Sequence, residues 1–249
     1  MAPAPAMLPA MPPDMLHDAA ASLWRHGYAR LPGLLPPRLH RPLARRLLQL
    51  RQAGIPPVGI FRDDAAWRAA AQVMPVATHF LGFRCAMLPN LWAMALLPGR
   101  LGSHGGARGW PPHVDYQGLS AVDGKVPYAV SLSFWLALSD AGPDNACMHV
   151  RPQVGLRDGT PVHGTAIALP ARAGDVLMWR QDLPHWGGRM TRRARGPRLS
   201  IALEFQDAGW PPLDEPLLDP QAPPPFAERL RLIGRQRQKY RHISAPQKR

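Results

Sequence analysis

The stretch that decides the fold is Tyr128-Ala-Val-Ser-Leu-Ser-Phe-Trp-Leu-Ala-Leu138, in which every second residue from Val130 onward is large and apolar. Side chains alternate between the two faces of a β-strand, so this period of two predicts a strand with one apolar face. Other alternating segments are separated by Gly, Pro and Asp turns, and they lie at 91–97, 147–151, 165–169, 175–179 and 199–205. Short strands without helical patterns between them favour a jelly roll or barrel over βαβ units.

The segments outside these strands predict the domain organisation. Residues 1–13 are rich in Ala, Pro and Met, and we interpret them as a flexible leader. Apolar residues at helical spacing then predict a helix from residue 14, a second helix after Pro36-Pro37 and a third, shorter one at 65–73. We therefore expect one domain over residues 14–206, mainly β with flanking helices. Its double-stranded β-helix (jelly-roll) core spans about residues 88–206, and the N-terminal helices pack on that core.

Residues 207–249 predict a different kind of segment. Seven Pro residues fall between positions 211 and 225, and a basic stretch runs from 226 to 249. Its apolar residues could form one helical stripe, so we interpret it as a solvated tail or a packing helix, with a specific binding element as the alternative.

Composition limits the classes of partner. The formal net charge is +13, and nearly all of the 30 basic residues are Arg. A high positive charge is typical of nucleic-acid-binding proteins. The densest Arg clusters, however, lie outside the candidate metal stretch, which argues against nucleic acid as the principal substrate.

Two Cys residues exclude a disulfide framework, and neither a secretory signal nor a membrane-length apolar run is present. We expect a soluble, cytoplasmic protein, and the sequence indicates no oligomeric state.

The candidate chemistry begins at Trp110-Pro-Pro-His-Val-Asp-Tyr116. His113 and Asp115 are two residues apart, so in an extended strand both side chains project from the same face and can bind one ion. A second His would complete the two-His, one-carboxylate set of non-haem iron sites. His185, in Asp182–Gly188 after the strand at 175–179, is the favoured partner.

The competing third ligands are His104, His149 and His163. None of them is followed by a strand that carries an anion anchor. The stretch Arg198-Leu-Ser-Ile-Ala-Leu-Glu-Phe205 comes shortly after His185 and alternates strictly. Arg198 and Ser200 therefore share one face of a strand, where a guanidinium and a hydroxyl together can bind a carboxylate.

His-x-Asp, a distant His and then Arg-x-Ser form a motif that resembles the Fe(II)/2-oxoglutarate-dependent dioxygenase superfamily, in particular the phytanoyl-CoA dioxygenase-like family. Three further stretches carry the resemblance, and they are Trp24–Leu35, Ser133–Asp140 and Asn145–Met148. The likeness extends over roughly residues 15–206. It departs at Val150–Val154, where the family has Pro-Gly-Ser-His, and at Pro111-Pro112, so it specifies the cofactor better than the substrate.

The resemblance implies a complete oxygenase site. His113, Asp115 and His185 would be the catalytic residues and hold Fe(II), while Arg198 and Ser200 would bind the distal carboxylate of 2-oxoglutarate. O2 would then be consumed as 2-oxoglutarate is converted to succinate and a substrate C–H bond is oxidised. Related halogenases have a small residue in place of the carboxylate, so Asp115 implies hydroxylation, with desaturation or ring formation as alternatives.

The expected substrate is a small molecule, with an anion among the candidates, and a set of residues near the metal stretch is predicted to contact it. That set is Trp110, Tyr116, Gln117, Trp135, Cys147, Trp186 and Arg189.

Nucleic-acid demethylases of the superfamily are expected to carry a second Arg six residues after the Arg that anchors 2-oxoglutarate. This chain has Glu204 at that position. A jelly-roll module that binds without turnover, and a peptide or protein hydroxylase that docks through the basic tail, are the alternatives. Truncation after Ala227 would test the docking role.

Overall fold

The computed structural model describes residues 13–98, 109–116, 120–121, 128–158 and 160–240. Its helices are α1 (Pro13–His26), α2 (Pro37–Gln52), α3 (Asp64–Leu81) and α4 (Phe226–Lys239), with a 3₁₀ helix, η1 (Pro57–Arg62), between α2 and α3. α3 is longer than the 65–73 expected, because a buried apolar stripe continues through Val73, Val76, Ala77 and Leu81 despite Pro75.

Thirteen strands are present in the described ranges. They are β1 (Tyr28–Leu31), β2 (Cys85–Met87), β3 (Trp92–Leu96), β4 (Ser120–Ala121), β5 (Tyr128–Ala129), β6 (Ser131–Ala137), β7 (Met148–Val150), β8 (Gln153–Arg157), β9 (Thr160–His163), β10 (Ile167–Leu169), β11 (Val176–Arg180), β12 (His185–Gly187) and β13 (Arg198–Asp207). The alternating segments all contain strands, whereas β2, β4, β12 and the β8–β9 pair were not predicted. These are short or carry exposed residues, and therefore lack a clear period of two.

A major sheet has the order β1-β11-β6-β13-β2, with β3 also pairing with β13. All of these pairs are antiparallel. β13 is the longest strand, and it aligns with β6 from Ser200 opposite Ala137 to Gln206 opposite Ser131. β3 borders the first half of β13 and β2 borders the second half, so the strand is paired along both edges.

The two faces of the major sheet have different roles. Phe134 of β6 and Phe205 of β13 lie on the face that packs with α1, α2 and α3 in the largest apolar cluster. The opposite face, called the site face below, carries Arg198, Ser200 and Glu204 of β13 in the same phase. Period-two patterning therefore separates the apolar core from the polar side chains.

A minor sheet, β10-β7-β12, packs over the site face. A second apolar cluster lies between the sheets and includes Trp135, Val150, Leu169 and Leu177. Two facing antiparallel sheets of this kind form a double-stranded β-helix, so the predicted jelly-roll fold is confirmed. Within the described ranges, no helix has both the length and the apolar character that a membrane crossing requires.

The C-terminal helix α4 is packed against the domain. Leu232 and Ile233 are buried in the largest apolar cluster, and Nη1 of Arg229 lies 2.6 Å from Oδ1 of Asp64. A truncation after Ala227 would remove these contacts and expose core surface. The truncation is therefore unsuited to separating a docking role from a structural one.

We expect Phe134→Ala to lower the free energy of unfolding by about 3–5 kcal/mol, because Phe134 is fully buried and its ring meets Phe205 edge-on at 5.5 Å. Chemical denaturation monitored by circular dichroism measures the change. Phe83, which is 90% exposed, provides the matched control, and Phe83→Ala should change stability by about 0.5 kcal/mol or less. Equal losses in the two variants would contradict the assigned core.

Candidate active site

Backbone hydrogen bonds hold the three predicted metal ligands in place. The amide of His113 donates to the carbonyl of His185 at 3.1 Å, and the amide of His185 donates back at 2.9 Å. This single bridge adds His113 to the free edge of β12, the edge strand of the minor sheet. One pair of main-chain hydrogen bonds thus brings together two histidines that are far apart in the sequence.

The chain does not continue as a strand from His113 to Asp115, so the expected extended geometry is wrong. After the isolated bridge it bends, because the amides of Asp115 and Tyr116 both donate to the carbonyl of Gln181, at 2.9 and 3.2 Å. The bend still brings the carboxylate toward the imidazoles. The ligand atoms of His113, Asp115 and His185 all lie within 4.8 Å of one another.

The hydrogen bonds of the two imidazoles suit a metal. Nδ1 of His113 lies 3.0 Å from the carbonyl oxygen of Pro111, and Nδ1 of His185 lies 2.9 Å from that of Leu183. A carbonyl only accepts, so in the neutral form of each ring Nδ1 carries the proton and the lone pair is on Nε2. Nε2 of His185 is 3.6 Å from Oδ2 of Asp115, so the free lone pairs and the carboxylate converge.

Burial favours the neutral form of His185. Desolvation lowers the pKa of His185, and the charge of Asp115 only partly opposes this effect. Neutral imidazole is the form that coordinates a metal, so His185 is ready to bind at neutral pH. The ring of Trp179 packs at 4.7 Å from the His185 ring and fixes its orientation.

Asp115 has a hydrogen-bond donor of its own. Oγ of Ser133, on the site face of β6, donates to Oδ2 of Asp115 at 2.9 Å. This bond restrains the rotation of the carboxylate, and an oxygen that accepts one hydrogen bond can still bind an ion through its other lone pair. Two imidazole nitrogens and one restrained carboxylate form the donor set of a two-His, one-carboxylate iron site.

Arg198 is buried on the site face without a carboxylate partner among the described residues. Its Nε donates to the carbonyl of Ala146 at 3.1 Å, and its Nη1 donates to Oγ of Ser200 at 2.8 Å. Burial lowers the pKa of Arg198 to about 10, so the group remains charged at neutral pH. A buried, oriented cation lacking an anion can bind an anionic ligand.

Gly187 lies close to the Nη2 side of this guanidinium. A Cβ added at Gly187 would lie 3.0 Å from Nη2 of Arg198 and 3.1 Å from the ring of Trp110, so a larger residue would crowd both side chains. The Trp135 ring supports the guanidinium from the sheet, with Cζ of Arg198 5.6 Å from the ring centroid. Trp110 and Trp135, two of the three predicted tryptophans, therefore lie at the Arg198 end of the site.

The other predicted contact residues have different environments. Cys147 is fully buried, and burial raises the pKa of its thiol, so it is a packing residue. Trp186 stacks on His149 with ring centroids 5.5 Å apart. Arg189 is exposed, and Tyr116 is half-buried. Gln117 lies outside the described residues.

The competing histidines do not join the metal set. Nδ1 of His149 lies 3.2 Å from the carbonyl of Cys147, and Nδ1 of His163 lies 3.2 Å from that of Arg151. Neither belongs to a cluster of potential metal ligands in the described part of the chain. His104 lies outside that part.

Ser133, Asn90 and Glu204 are site residues that were not predicted. Glu204 has the same strand phase as Arg198 and Ser200, a signal that could have identified it. It is 5% exposed, and Nδ2 of Asn90 donates to its Oε2 at 2.8 Å. Burial, together with the charge of Asp115, raises the pKa of Glu204 to about 8.

Comparison with known sequences identifies one family. The family model described as phytanoyl-CoA dioxygenase (PhyH) matches residues 24–196, which include all three candidate metal ligands and end just before Arg198. No curated protein matches the chain.

Solved structures share the fold at low sequence identity. The non-haem α-ketoglutarate-dependent epimerase SnoN from nogalamycin biosynthesis is 22% identical, with a TM-score of 0.57 over 79% of this chain and 84% of that one. HygX from Streptomyces hygroscopicus, solved with nickel and 2-oxoglutarate, is 15% identical, with a TM-score of 0.58 over 80% and 88%. The carbocyclase SnoK, also from nogalamycin biosynthesis, is 14% identical, with a TM-score of 0.57 over 87% and 100%.

We expect Ser133→Ala to weaken metal binding by about 10–100-fold, because Asp115 loses the bond that restrains its carboxylate. Titration of the metal-free protein with Co(II), followed by visible absorption, measures the affinity. Ser22→Ala is the control, since Oγ of Ser22 bonds to the carbonyl of Tyr28 between α1 and β1. An unchanged affinity in Ser133→Ala would show that this bond does not support the metal.

The raised pKa of Glu204 predicts a pH dependence of stability in the metal-free protein. Between about pH 4.5 and pH 8 the folded protein keeps a proton that the unfolded chain releases, so the free energy of unfolding should fall as pH rises. Glu204→Gln should remove this contribution and flatten the profile, whereas Glu228→Gln should not. Urea denaturation at several pH values tests this, and identical profiles for wild type and Glu204→Gln would contradict it.

Proposed function

This chain belongs to the phytanoyl-CoA dioxygenase family, and we propose on that premise that it is an Fe(II)- and 2-oxoglutarate-dependent oxygenase. Its reaction hydroxylates an unactivated C–H bond of a small molecule. One substrate, one 2-oxoglutarate and one O2 yield the alcohol, succinate and CO2, so one oxygen atom enters each of the two organic products.

A single observation carries the proposal. His113, Asp115 and His185 converge within 4.8 Å, and a buried Arg198 without a carboxylate partner in the described ranges lies on the site face of the same jelly roll. A metal-binding module has no need of a second, buried anion-binding group. The combination is that expected of a metal enzyme with a dicarboxylate co-substrate.

Different residues would bind the metal and the co-substrate. His113, His185 and Asp115 would hold Fe(II), which together with 2-oxoglutarate and O2 supplies the oxidation of the C–H bond. Arg198 and Ser200 would bind the distal carboxylate of 2-oxoglutarate through charge-assisted hydrogen bonds. Because Asp115 occupies the carboxylate position, the expected product contains oxygen, not halogen.

Two features favour a small-molecule substrate. Position 204 holds a buried Glu in place of the second Arg expected of nucleic-acid demethylases, so the site face lacks that cation for a phosphate. The solved complex of SnoN contains Fe3+, α-ketoglutarate and nogalamycin RO, which is a small molecule in a protein of the same fold.

We expect anaerobically prepared protein, given Fe(II), 2-oxoglutarate and then O2, to release succinate slowly without substrate and faster with it. His113→Ala should reduce succinate release to the level of free Fe(II), because one of three ligands is lost. His163→Ala, which alters a rejected ligand candidate, should retain activity. Succinate formation that survives in His113→Ala would contradict the ligand assignment.

The mass of the product separates the possible outcomes once a substrate stimulates succinate release. Hydroxylation adds one oxygen atom to the substrate. Ring closure or desaturation removes two hydrogens, and epimerisation leaves the mass unchanged. This measurement is needed because SnoN is an epimerase and SnoK is a carbocyclase. An unchanged mass with inverted stereochemistry would overturn the proposed hydroxylation but leave the cofactor assignment intact.

We expect Arg198→Ala to raise the dissociation constant of 2-oxoglutarate by at least about 30-fold, because removing one partner of a buried charge pair costs about 2–5 kcal/mol. Isothermal titration of the Zn(II)-loaded protein under anaerobic conditions measures this constant. Arg189→Ala, which removes an exposed guanidinium nearby, is the matched control and should bind normally. Equal affinities for Arg198→Ala and wild type would place the co-substrate elsewhere.

A further inference from the structure

The segment that carries two of the candidate metal ligands, residues 109–116, is attached to the domain at a third place besides β12 and Gln181. The side chain of Tyr116, at the end of this segment, accepts a hydrogen bond through its hydroxyl from Nδ2 of Asn90 at 3.3 Å. Asn90 is buried and lies shortly before β3. The residue that follows the candidate ligand Asp115 is therefore attached to a part of the domain that is distant in the sequence.

The amide of Asn90 has three polar partners. Its Nδ2 donates to Tyr116 and, at 2.8 Å, to Oε2 of Glu204, while its Oδ1 accepts from Nζ of Lys239 at 3.1 Å. Burial raises the pKa of Glu204 to about 8, so this carboxyl is mostly protonated at neutral pH. A protonated carboxyl can donate or accept, as can a tyrosine hydroxyl, whereas an ammonium only donates. Lys239 is thus the partner that dictates which way the amide is oriented.

Lys239 is itself held in place by the domain. It is the last residue of α4, and its Nζ lies 3.0 Å from Oδ2 of Asp214 in the loop before that helix. The amide of Leu213 donates to Oε1 of Gln206 on β13 at 2.8 Å, which ties this loop to the major sheet. The ammonium therefore has a defined position, although Lys239 is an exposed residue.

The end of α4 lies within electrostatic reach of the candidate metal site. The ring of Tyr240, which follows Lys239, packs against Trp92 of β3 with ring centroids 4.2 Å apart. Burial raises the pKa of Tyr240 to about 12, and the charges of Glu204 and Asp115 contribute to this increase. A charge acts on a pKa only from nearby, so α4 ends close to the carboxylate of Asp115.

We propose that Lys239 is a positioning residue of the metal centre. By orienting the amide of Asn90 it holds the hydroxyl of Tyr116, and it thereby fixes the chain at the adjoining ligand Asp115. The basic helix α4, for which the sequence left open a solvated tail or a packing helix, then supports the site. This inference rests on the proposed function, whose metal centre it describes.

The positive charge of Lys239 separates positioning from a purely electrostatic effect. An ammonium repels a metal cation, so electrostatics alone predicts tighter metal binding when Lys239 loses its charge. Loss of the hydrogen bond predicts the opposite sign, because the amide of Asn90 can then turn away from Tyr116 and Asp115 loses part of its support. The direction of the change in metal affinity therefore distinguishes the two roles.

The test measures Co(II) binding to the full, metal-free chain by visible absorption, without turnover. Lys239→Met removes the ammonium and keeps an unbranched side chain. We expect it to raise the dissociation constant of Co(II) about threefold to tenfold and to alter the ligand-field bands, because Asp115 is less well positioned. Arg235→Met is the matched control. Arg235 also pairs with Asp214 but is not among the partners of Asn90 in the described part of the chain, so the affinity should stay within about twofold.

Tyr116→Phe provides a second measurement that changes no charge. Loss of the hydroxyl should also weaken Co(II) binding about threefold to tenfold. Adding Lys239→Met to Tyr116→Phe should change the affinity by less than about twofold further, because the route through the hydroxyl is already lost. Circular dichroism of the metal-free variants checks that each of them is folded.

Three outcomes overturn the inference. They are a Co(II) affinity that Lys239→Met leaves unchanged or increases, an equal loss of affinity in Arg235→Met, and additive losses when Tyr116→Phe and Lys239→Met are combined. The proposed function is tested separately, by Co(II) binding and succinate release in the wild-type chain. Normal wild-type results together with unaffected variants would therefore reject the role of Lys239 alone.

Discussion

The antiparallel pairing of β6 with β13 is the constraint on which the rest of the structure depends. Its register puts Phe134 and Phe205 on the face that packs against the helices. The same register puts Ser133 opposite Glu204 on the other face, with Arg198 at the start of β13. A shift by one residue would exchange the faces, burying polar groups among the helices and leaving apolar side chains in the site.

Hydrogen bonds and burial set the charge and orientation of the candidate ligand-binding groups at both ends of the site. At the candidate metal end, backbone carbonyls accept the Nδ1 protons of His113 and His185, so that each ring can present Nε2 to an ion. Burial also lowers the pKa of His185, which favours its neutral form. At the other end, Arg198 is held by a carbonyl and by Ser200 in a desolvated position. The protein itself thus orients these candidate ligand-binding groups, which would lower the ordering cost of binding.

Much of the candidate site could be inferred from the sequence, because its residues follow local rules. Arg198 and Ser200 share a strand phase, and alternation made that visible in the sequence. Ser133 was not identified, since a serine in an apolar strand has no distinctive pattern and acquires its role only through contact with Asp115. α4 was equally ambiguous, because its apolar stripe is short and its packing against η1 depends on distant residues.

The sequence by itself determined the jelly-roll class, the two faces of β13 and the candidate ligand set, because period-two patterning and residue type are local properties. Only the tertiary structure decided that His113 joins the edge of β12 through one bridge and that the chain then bends at Asp115. It also decided that Glu204 is buried opposite Ser133 and does not lie at a solvent-exposed edge. These relations come from hydrogen bonds and burial between segments far apart in the chain, which no local pattern encodes.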